Sequence, residues 1–228
     1  MAKERNFDFS SIENFDTYIE NSIKGYRELI QDIKNLSEYF VEPNTNVYDI
    51  GCSTGKLVYE LAEKHKTANI IGIEKESNFT KMLVNKDNAL FKKMDLFDVD
   101  NMTNASLITS VFTMQFIQQH KRFKAIQKFY NALNYGSAFI LCEKMLAETS
   151  KLQDILTFMY YDHKRENFTA DEILDKEYDL RHQMKLFTLD ENVQMLRDAG
   201  FRKIEIFWRR YIFTGISNKI KEIIYESK

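Results

Sequence analysis

One stretch of the 228-residue chain decides its fold, and it reads Val47-Tyr48-Asp49-Ile50-Gly51-Cys52-Ser53-Thr54-Gly55. Its first four residues form the short apolar run of a buried strand, and a helical pattern follows from Lys56 to Lys64. A strand that enters a helix through a glycine turn is the ligand-binding element of doubly wound α/β folds. Gly51 lets a ligand approach the backbone, and Gly55 lets the helix pack closely. The stretch therefore predicts a parallel sheet with a ligand at the end of its first strand.

Further strands and helices alternate downstream of this stretch. Apolar runs predict strands at 68–74, 89–92, 105–112 and 137–142, and helical spacing predicts helices at 77–84, 120–133 and 189–198. A β-hairpin is predicted at 203–208 and 211–213 with Arg209-Arg210 at its turn, and residues 216–225 have helical spacing. This order is typical of the α/β class, as a Rossmann-like, doubly wound, mostly parallel sheet with a C-terminal antiparallel hairpin.

Two helical segments stand outside this alternation. Residues 1–42 are predicted to hold N-terminal helices, with a break at Gly25. Residues 146–187 are rich in charged and aromatic side chains with helical spacing, which predicts a helical insertion that acts as a lid. The chain has only 7 glycines and 1 proline, so no stretch is typical of a flexible linker. We therefore expect residues 1–228 to form one domain.

Composition and charge exclude several classes of function. Lys plus Arg number 32 and Asp plus Glu 34, so the net charge is -2 and the chain has no global attraction to nucleic acid. Cys52 and Cys142 are far apart and form no CxxC pair, which argues against a zinc site or a disulfide framework. No apolar window approaches about 18 residues, and residues 1–11 lack an apolar signal core. We expect a cytoplasmic globular protein that binds no metal, no membrane and no nucleic acid directly.

The spacing of the glycines separates three kinds of nucleotide site. A phosphate-binding Walker loop needs four residues between its glycines and a hydroxyl residue after the lysine, but here three intervene and Leu57 follows Lys56. A dinucleotide fingerprint needs G-x-G-x-x-G, and Cys52-Ser53 stand in place of its second glycine. S-adenosylmethionine carries a sulfonium and an amino acid instead of phosphates. The pattern Asp49-x-Gly51-x-x-x-Gly55 therefore favours S-adenosylmethionine as the cofactor.

Two acids lie where S-adenosylmethionine needs them. Glu74 ends the second predicted strand, at the distance beyond the glycine turn where a carboxylate accepts hydrogen bonds from ribose hydroxyls. Asp95 follows the third strand beside Leu96, and an acid with an apolar neighbour suits the amino group and ring of adenine. Together they predict an adenosine site at the ends of these two strands.

The sequence as a whole resembles the carboxy-S-adenosylmethionine synthase family, within the class I S-adenosylmethionine-dependent methyltransferases. The resemblance runs from about Phe9 to Ser217 and is carried by residues 22–26, 47–53, 104–106, 112–116, 143–144 and 162–167. The glycine loop is shared by many methyltransferases. The blocks Phe112-Thr113-x-Gln115-Phe116 and Asp162-x-Lys164-Arg165-x-Asn167 are more specific to this family.

The resemblance implies an activity and a set of partners. Members of the family transfer a carboxyl group from prephenate to the methyl group of S-adenosylmethionine, which gives carboxy-S-adenosylmethionine. The product later supplies a carboxymethyl group to a nucleoside, as on the wobble uridine of transfer RNA or in a nucleotide antibiotic. The family's enzymes are homodimers whose inserted helices help to close the site.

The resemblance also implies roles for the cofactor-binding residues. Tyr26 is expected over the cofactor; Gly51, Cys52 and Ser53 at its methionine part; Glu74 and Lys75 at the ribose; and Asp95 and Leu96 at the adenine. Val111 lines the cofactor where the family usually has an asparagine. Glu177 stands where the family has an arginine that receives the new carboxylate, and a carboxylate there would repel it.

The cations that would replace this arginine come from the insertion. Arg165, Arg181, His163 and Lys164 are the candidates, and a guanidinium offers two parallel hydrogen bonds to a carboxylate. Arg165 is preferred because it belongs to a family-specific block, and Arg181 is one helical turn from Glu177. His163 is also a candidate general base for methyl transfer. Two other functions therefore stay open: a conventional methyltransferase acting on a small molecule, and a catalytically inactive partner subunit that binds S-adenosylmethionine.

Overall fold

A seven-stranded sheet lies at the centre of residues 14–219, which are the residues that this structure, a computed structural model, describes. Its strands are β1 (Asn46–Ile50), β2 (Asn69–Glu74), β3 (Ala89–Lys93), β4 (Ala105–Val111), β5 (Leu133–Lys144), β6 (Lys203–Arg210) and β7 (Phe213–Lys219). The order is β3-β2-β1-β4-β5-β7-β6. Strands β1 to β5 pair in parallel, and β7 is antiparallel to both β5 and β6. The predicted fold class is therefore confirmed.

Helices cover the sheet and continue beyond it. They are α1 (Phe15–Ser22), α2 (Tyr26–Ser37), α3 (Lys56–Lys64), α4 (Ser77–Thr80), α5 (Gln119–Ala132), α6 (Ser150–Lys164), α7 (Ala170–Gln183) and α8 (Leu189–Asp198). Helices α7 and α8 each begin with a capping box, in which a threonine side chain and a glutamate three residues later satisfy each other's backbone N–H groups. Gly25 separates α1 from α2 with a φ of +78°.

The sheet is buried on both faces, and each face has its own apolar core. One core contains Ile126 and Phe129 of α5 and Leu196 of α8. The other contains Ile33 of α2 and Leu61 of α3. Strands covered on both sides have few polar positions, which explains why the central strands are nearly continuous apolar runs in the sequence.

The direction of winding reverses at β1. This strand lies between β2 and β4, and its register places Asp49 opposite Gly72 of β2 and Thr109 of β4. Where the strand order reverses, the loops on either side diverge and leave a crevice at the carboxyl ends of the strands. The glycine turn therefore opens into this crevice, next to the end of β2.

Four sequence predictions differ from the structure. The helix predicted at 77–84 is only α4, and β5 begins at Leu133, ahead of the predicted start at residue 137. Arg209-Arg210 end β6, so that the hairpin turns at Tyr211-Ile212. Residues 216–219 belong to β7, because Ile216 pairs with Leu141 of β5 and is fully buried there. Residues 220–225 of that predicted helix, and residues 1–13 of the N-terminal segment, lie outside the described residues.

Candidate active site

A cavity of about 950 Å³ opens at the carboxyl ends of the parallel strands. Such a volume is at the upper end of the range for small-molecule sites. Ten of the eleven predicted cofactor residues line it: Tyr26, Asp49, Gly51, Cys52, Ser53, Glu74, Lys75, Asp95, Leu96 and Val111. The remaining walls come from α1, from the loop after β4 and from the inserted helices α6 and α7.

The glycine turn is shaped by close contacts that only glycine permits. Gly51 has a φ of +71°, and a Cβ atom on it would lie 2.4 Å from the side chain of Thr113. Gly55 caps α3 with a φ of +78°, but it does not line the cavity. A Cβ on Gly55 would lie 2.8 Å from Leu83 Cδ2. Gly55 therefore serves the turn and the packing of α3, and the structure gives it no direct access to the ligand.

Asp49 lies at the base of the cavity and is almost fully buried. The hydroxyl of Thr109 donates a 2.7 Å hydrogen bond to Asp49 Oδ1. Burial raises the pKa of Asp49 to about 7, although the hydrogen bond from Thr109 opposes this shift. A carboxyl group in this position accepts a donor from the ligand most strongly when it is ionised.

Glu74 organises the loops on both sides of the cavity. Its Oε2 accepts a 2.8 Å hydrogen bond from Ser53 N–H in the glycine turn, and its Oε1 accepts from Lys75 N–H and Glu76 N–H, each at 2.8 Å. Burial raises the pKa of Glu74, and these three backbone donors oppose the shift. A carboxylate has about four lone-pair positions, so roughly one remains for a ligand hydroxyl.

The rim beside β3 carries the second acid. Asp95 Oδ1 accepts a 2.9 Å hydrogen bond from Phe97 N–H, which orders the turn after β3. Lys75 Nζ lies 3.7 Å from Asp95 Oδ2, and both side chains are substantially exposed. Leu96 is buried beside them. This combination of a polar rim and an apolar floor matches the predicted adenine site in chemistry.

The N-terminal helix α1 is fastened to the glycine turn. Thr54 donates a 2.8 Å hydrogen bond to Asp16 of α1, and Lys56 Nζ lies 3.0 Å from Glu20 Oε1. Tyr26 follows at the start of α2, with its ring centroid 6.4 Å from that of Phe112. Because Tyr26 is buried, its pKa is well above the ordinary value and it stays neutral. Tyr18 of α1 contacts Phe168 and Lys176, so α1 covers the cavity together with the inserted segment.

Cys52 is part of the wall but is not a nucleophile. The residue is buried, and burial raises the pKa of its thiol far above the ordinary value. The thiol therefore stays protonated near neutral pH. Cys52 therefore lines the cavity as a neutral side chain.

The three predicted catalytic residues do not reach the cavity. Arg165 and Arg181 are exposed, and neither they nor His163 line the wall. His163 Nδ1 lies 3.5 Å from Glu166 Oε2 on the same helix end. The reason is helical rotation: Tyr160 and Lys164 lie one turn apart on the buried face of α6, and the residues beside Lys164 point about 100° away. On α7 the buried face carries Lys176 and Leu180, which leaves Arg181 outside.

Three buried lysines line the cavity instead, and we call them the lysine cluster: Lys144, Lys164 and Lys176. They are 9%, 2% and 7% exposed. Lys144 Nζ and Lys164 Nζ lie 5.4 Å and 5.3 Å from the centroid of the Tyr160 ring, and Lys176 Nζ lies 5.0 Å from that of Tyr18. Burial lowers the pKa of Lys164 to about 8 and that of Lys176 to about 7, and the neighbouring lysines add to the shift.

Glu177 does not face the cavity. Its Oε2 lies 3.0 Å from Lys144 Nζ, and it is absent from the cavity wall. In this structure Glu177 is therefore the partner of Lys144, which itself lines the cavity. Sequence reasoning missed Lys176, yet a signal was present: it occupies an inward position between Ile173 and Leu180, where an amphipathic helix normally carries an apolar side chain.

Within residues 14–219, no group of three or more His, Cys, Asp or Glu side chains is placed to hold a metal ion. None of the helices in the same region has the length and apolar character needed to cross a membrane.

These features define a class of protein. A glycine turn after β1, with acids after β2 and β3, on a sheet of this order is the architecture of a class I S-adenosylmethionine-dependent transferase. Residues 47–136 match the family described as "Methyltransferase domain". A crystal structure of an S-adenosylmethionine-dependent methyltransferase from Thermotoga maritima has the same fold, with a TM-score of 0.60 at 16% identity, covering 93% of this chain and 98% of that chain.

The chain belongs to the carboxy-S-adenosyl-L-methionine synthase family. It is 39% identical over 207 residues to the carboxy-S-adenosyl-L-methionine synthase of Staphylococcus epidermidis, covering 89% of this chain and 90% of that relative. It is 31% identical over 214 residues to the enzyme of that name from Nautilia profundicola, covering 92% of each. The predicted family, the transferase class and S-adenosylmethionine as cofactor are thereby confirmed.

Proposed function

We propose that this protein makes carboxy-S-adenosylmethionine by replacing one hydrogen of the cofactor's methyl group with a carboxyl group taken from prephenate. One observation carries the proposal: the same cavity is lined by acids that follow β2 and β3, where adenosine is expected, and by a lysine cluster from β5, α6 and α7. Ordinary methyl transfer needs no cations for an anionic donor, whereas prephenate brings two carboxylates. The names of the relatives support the same activity.

We expect different residues along the cavity to bind different parts of the cofactor and of the donor. S-adenosylmethionine supplies a methyl group on positively charged sulfur, whose C–H bonds are acidified by that charge. Glu74 would hold the ribose, and the glycine turn would hold the methionine part of the cofactor. The lysine cluster is placed to hold the donor by its carboxylates, and α1 and the inserted helices exclude water from both.

The first experiment tests the activity directly. Purified protein incubated with S-adenosylmethionine and prephenate is expected to give a cofactor heavier by one carbon dioxide, together with an equal amount of phenylpyruvate and one water. Mass spectrometry of the nucleoside and ultraviolet absorbance of phenylpyruvate measure the two products. Omitting prephenate is the control. Demethylated cofactor without the heavier product would support a conventional methyltransferase, and neither product would support an inactive binding subunit.

We further propose that the product serves a second enzyme that carboxymethylates a nucleoside, such as the wobble uridine of transfer RNA. The near-neutral charge of this chain supports a division of labour, because a protein that held the RNA itself would need a basic surface. Adding the product to a wobble-uridine-modifying extract, with this protein removed by filtration, tests whether the product alone is sufficient.

We also propose that the protein works as a homodimer through α6 and α7. Leu152, Ile155 and Met159 form a stripe on α6 that is exposed, and Phe158 beside it is 66% exposed. Leu174 and Tyr178 of α7 are exposed as well. Contiguous exposed apolar side chains mark an interaction surface more often than free surface.

The dimer proposal predicts that Phe158→Asp and Ile155→Asp each convert the protein to a monomer, because each buries an unpaired charge at the interface. Light scattering after size-exclusion chromatography measures the mass. Tyr39→Asp is the matched control, since Tyr39 is 81% exposed at a different place, after α2. If both variants of α6 remain dimers, the interface does not lie on this surface.

A further inference from the structure

We propose, resting on the function above, that Lys164 and Lys176 together hold the carboxylate that is added to the cofactor, and that Glu177 keeps Lys144 out of this role. Lys164 and Lys176 both line the cavity, whereas Glu177 does not.

The two lysines line the cavity from two helices. Lys164 lies near the end of α6 and Lys176 in the middle of α7. Lys164 Nζ is 5.7 Å from the centroid of the Phe168 ring, Lys176 Nζ is 5.0 Å from that of Tyr18, and the two ring centroids are 5.3 Å apart. The two ammonium groups therefore lie against two rings that contact each other edge to face, and both lysines line the same cavity.

Aromatic rings contact both ammonium groups: Tyr160 and Phe168 contact that of Lys164, and Tyr18 contacts that of Lys176. A ring attracts a cation through its quadrupole, which is weaker than a full negative charge. Within residues 14–219, Lys164 has ring contacts to Tyr160 and Phe168 and no ion pair. Two like charges that are buried close together oppose each other, and an added carboxylate relieves both costs. The site is thus prepared for an anion.

Glu177 and Lys144 form an ion pair beside this site. Lys144 Nζ donates to both carboxylate oxygens of Glu177, at 3.0 Å and 3.3 Å. Both side chains are largely buried. A lysine that already has a carboxylate partner binds a second one less strongly. Glu177 therefore offsets the positive charge of Lys144 most directly, while its charge also opposes the lowering of the pKa of Lys164 and of Lys176 by burial and so favours their charged forms.

The test compares two ligands that differ only in the carboxylate. Calorimetric titration gives the dissociation constants of S-adenosylmethionine and of carboxy-S-adenosylmethionine for the wild type and for Lys176→Met, Lys164→Met and Lys121→Met. Wild type is expected to prefer the carboxylated ligand. Each change in the site should reduce this preference by at least about tenfold, because a charge-assisted hydrogen bond is lost. Binding of S-adenosylmethionine should stay within about twofold.

Lys121→Met is the matched control, because Lys121 lines the same cavity from α5 but is exposed and should leave the preference unchanged. Glu177→Gln should increase the preference, because it releases Lys144. The substituted proteins should melt no lower than wild type, since Lys176→Met and Lys164→Met remove a buried charge at similar volume.

The outcomes separate this inference from the proposed function. A preference that survives both Lys176→Met and Lys164→Met overturns the inference, and so does an equal loss for both ligands. If the wild type makes carboxy-S-adenosylmethionine in that case, the function stands and another group holds the carboxylate. If the wild type makes none but its preference depends on the two lysines, the site stands and the protein is a binder of the carboxylated cofactor.

Discussion

Replacing Glu74 by alanine is expected to weaken the binding of S-adenosylmethionine about 100-fold. The carboxylate has one lone-pair position left for a ribose hydroxyl, and a hydrogen bond to a charged group contributes about 1.5–3 kcal/mol. Its removal also leaves the N–H groups of Ser53, Lys75 and Glu76 without their acceptor, so the glycine turn loses its orientation. The two losses together come to about 3 kcal/mol, which corresponds to about two orders of magnitude in affinity.

Calorimetric titration of the purified variant measures this effect, and thermal melting without ligand measures the contribution to folding. Glu74→Gln should weaken the binding of S-adenosylmethionine nearly as much. Its amide NH₂ is a donor and cannot accept the backbone N–H hydrogen bonds that one carboxylate oxygen accepts in the wild type. Asp95→Asn is the control, because it also replaces a carboxylate by an amide but at the rim, where the side chain is 40% exposed. It should weaken the binding of S-adenosylmethionine by less than about tenfold. If Glu74→Ala binds S-adenosylmethionine within about tenfold of wild type, the ribose lies elsewhere.

The fold could be predicted from the sequence because its strands and turns are specified locally. The helices at 56–64 and 189–198 have the bounds that the sequence predicts. In each case the apolar spacing agrees with the signals at the ends, which are Gly55 before the first helix and the Thr188 capping box before the second. Local signals that agree with each other leave few alternative structures.

The prediction was weaker where pairing between distant residues decides the structure. Residues 216–219 have helical spacing, but their partner in the sheet is β5, which lies about 75 residues earlier in the chain, and burial of Ile216 against it makes them a strand. Intrinsic helix propensity contributes too little free energy to outweigh such long-range contacts. The same reasoning explains the hairpin turn, which the pairing of β6 with β7 moves to Tyr211-Ile212.

In the site as well, the residues specified by local sequence could be predicted, and those positioned by distant contacts could not. The acids and glycines that follow the strands could be predicted, because parallel strands end at one edge of the sheet. The cations could not, because their direction depends on the rotation of α6 and α7, and a difference of one residue separates Lys164 from Arg165. Glu177 pairs with Lys144, which lies 33 residues earlier in the chain, and this contact could not be predicted from the residues around Glu177.

The largest expected loss of stability comes from Arg122, which joins three segments behind the lysine cluster. Its side chain is 1% exposed and donates to the carbonyls of Ile117 at 2.9 Å and Gln115 at 3.0 Å, and also to the carbonyl of Lys185. The guanidinium lies 4.7 Å from the centroid of the Phe187 ring. No single apolar or ammonium side chain can satisfy three carbonyls in this fork geometry.

The neighbourhood of Arg122 makes its removal more costly. Glu143 is buried nearby and accepts a 3.1 Å hydrogen bond from Gln115 N–H, while Gln115 Oε1 accepts from Lys144 N–H at 2.8 Å. Burial raises the pKa of Glu143 to about 8, and the charge of Arg122 opposes that shift. Without Arg122, the buried carboxyl and the carbonyls would lose the positive charge that faces them.

Arg122→Met is therefore expected to lower the free energy of unfolding by about 3–5 kcal/mol. For a chain of this length, even the lower figure lowers the melting temperature by about 6–12 °C. Arg122→Lys should recover less than half of this loss, because an ammonium group keeps the charge but not the fork. Arg197→Met, an exposed arginine of α8, is the matched control and should change little.

Hydrogen exchange locates the defect within the molecule. The carbonyl of Lys185 and the ring of Phe187 both rest on Arg122, and residues 183–185 form the wall beside the lysine cluster. Exchange of the amides at 183–187 should therefore accelerate well below the melting temperature, while β1 at the centre of the sheet stays protected. A variant that loses less than about 1 kcal/mol, or whose exchange rises equally in β1, would show that Arg122 does not hold this wall in place.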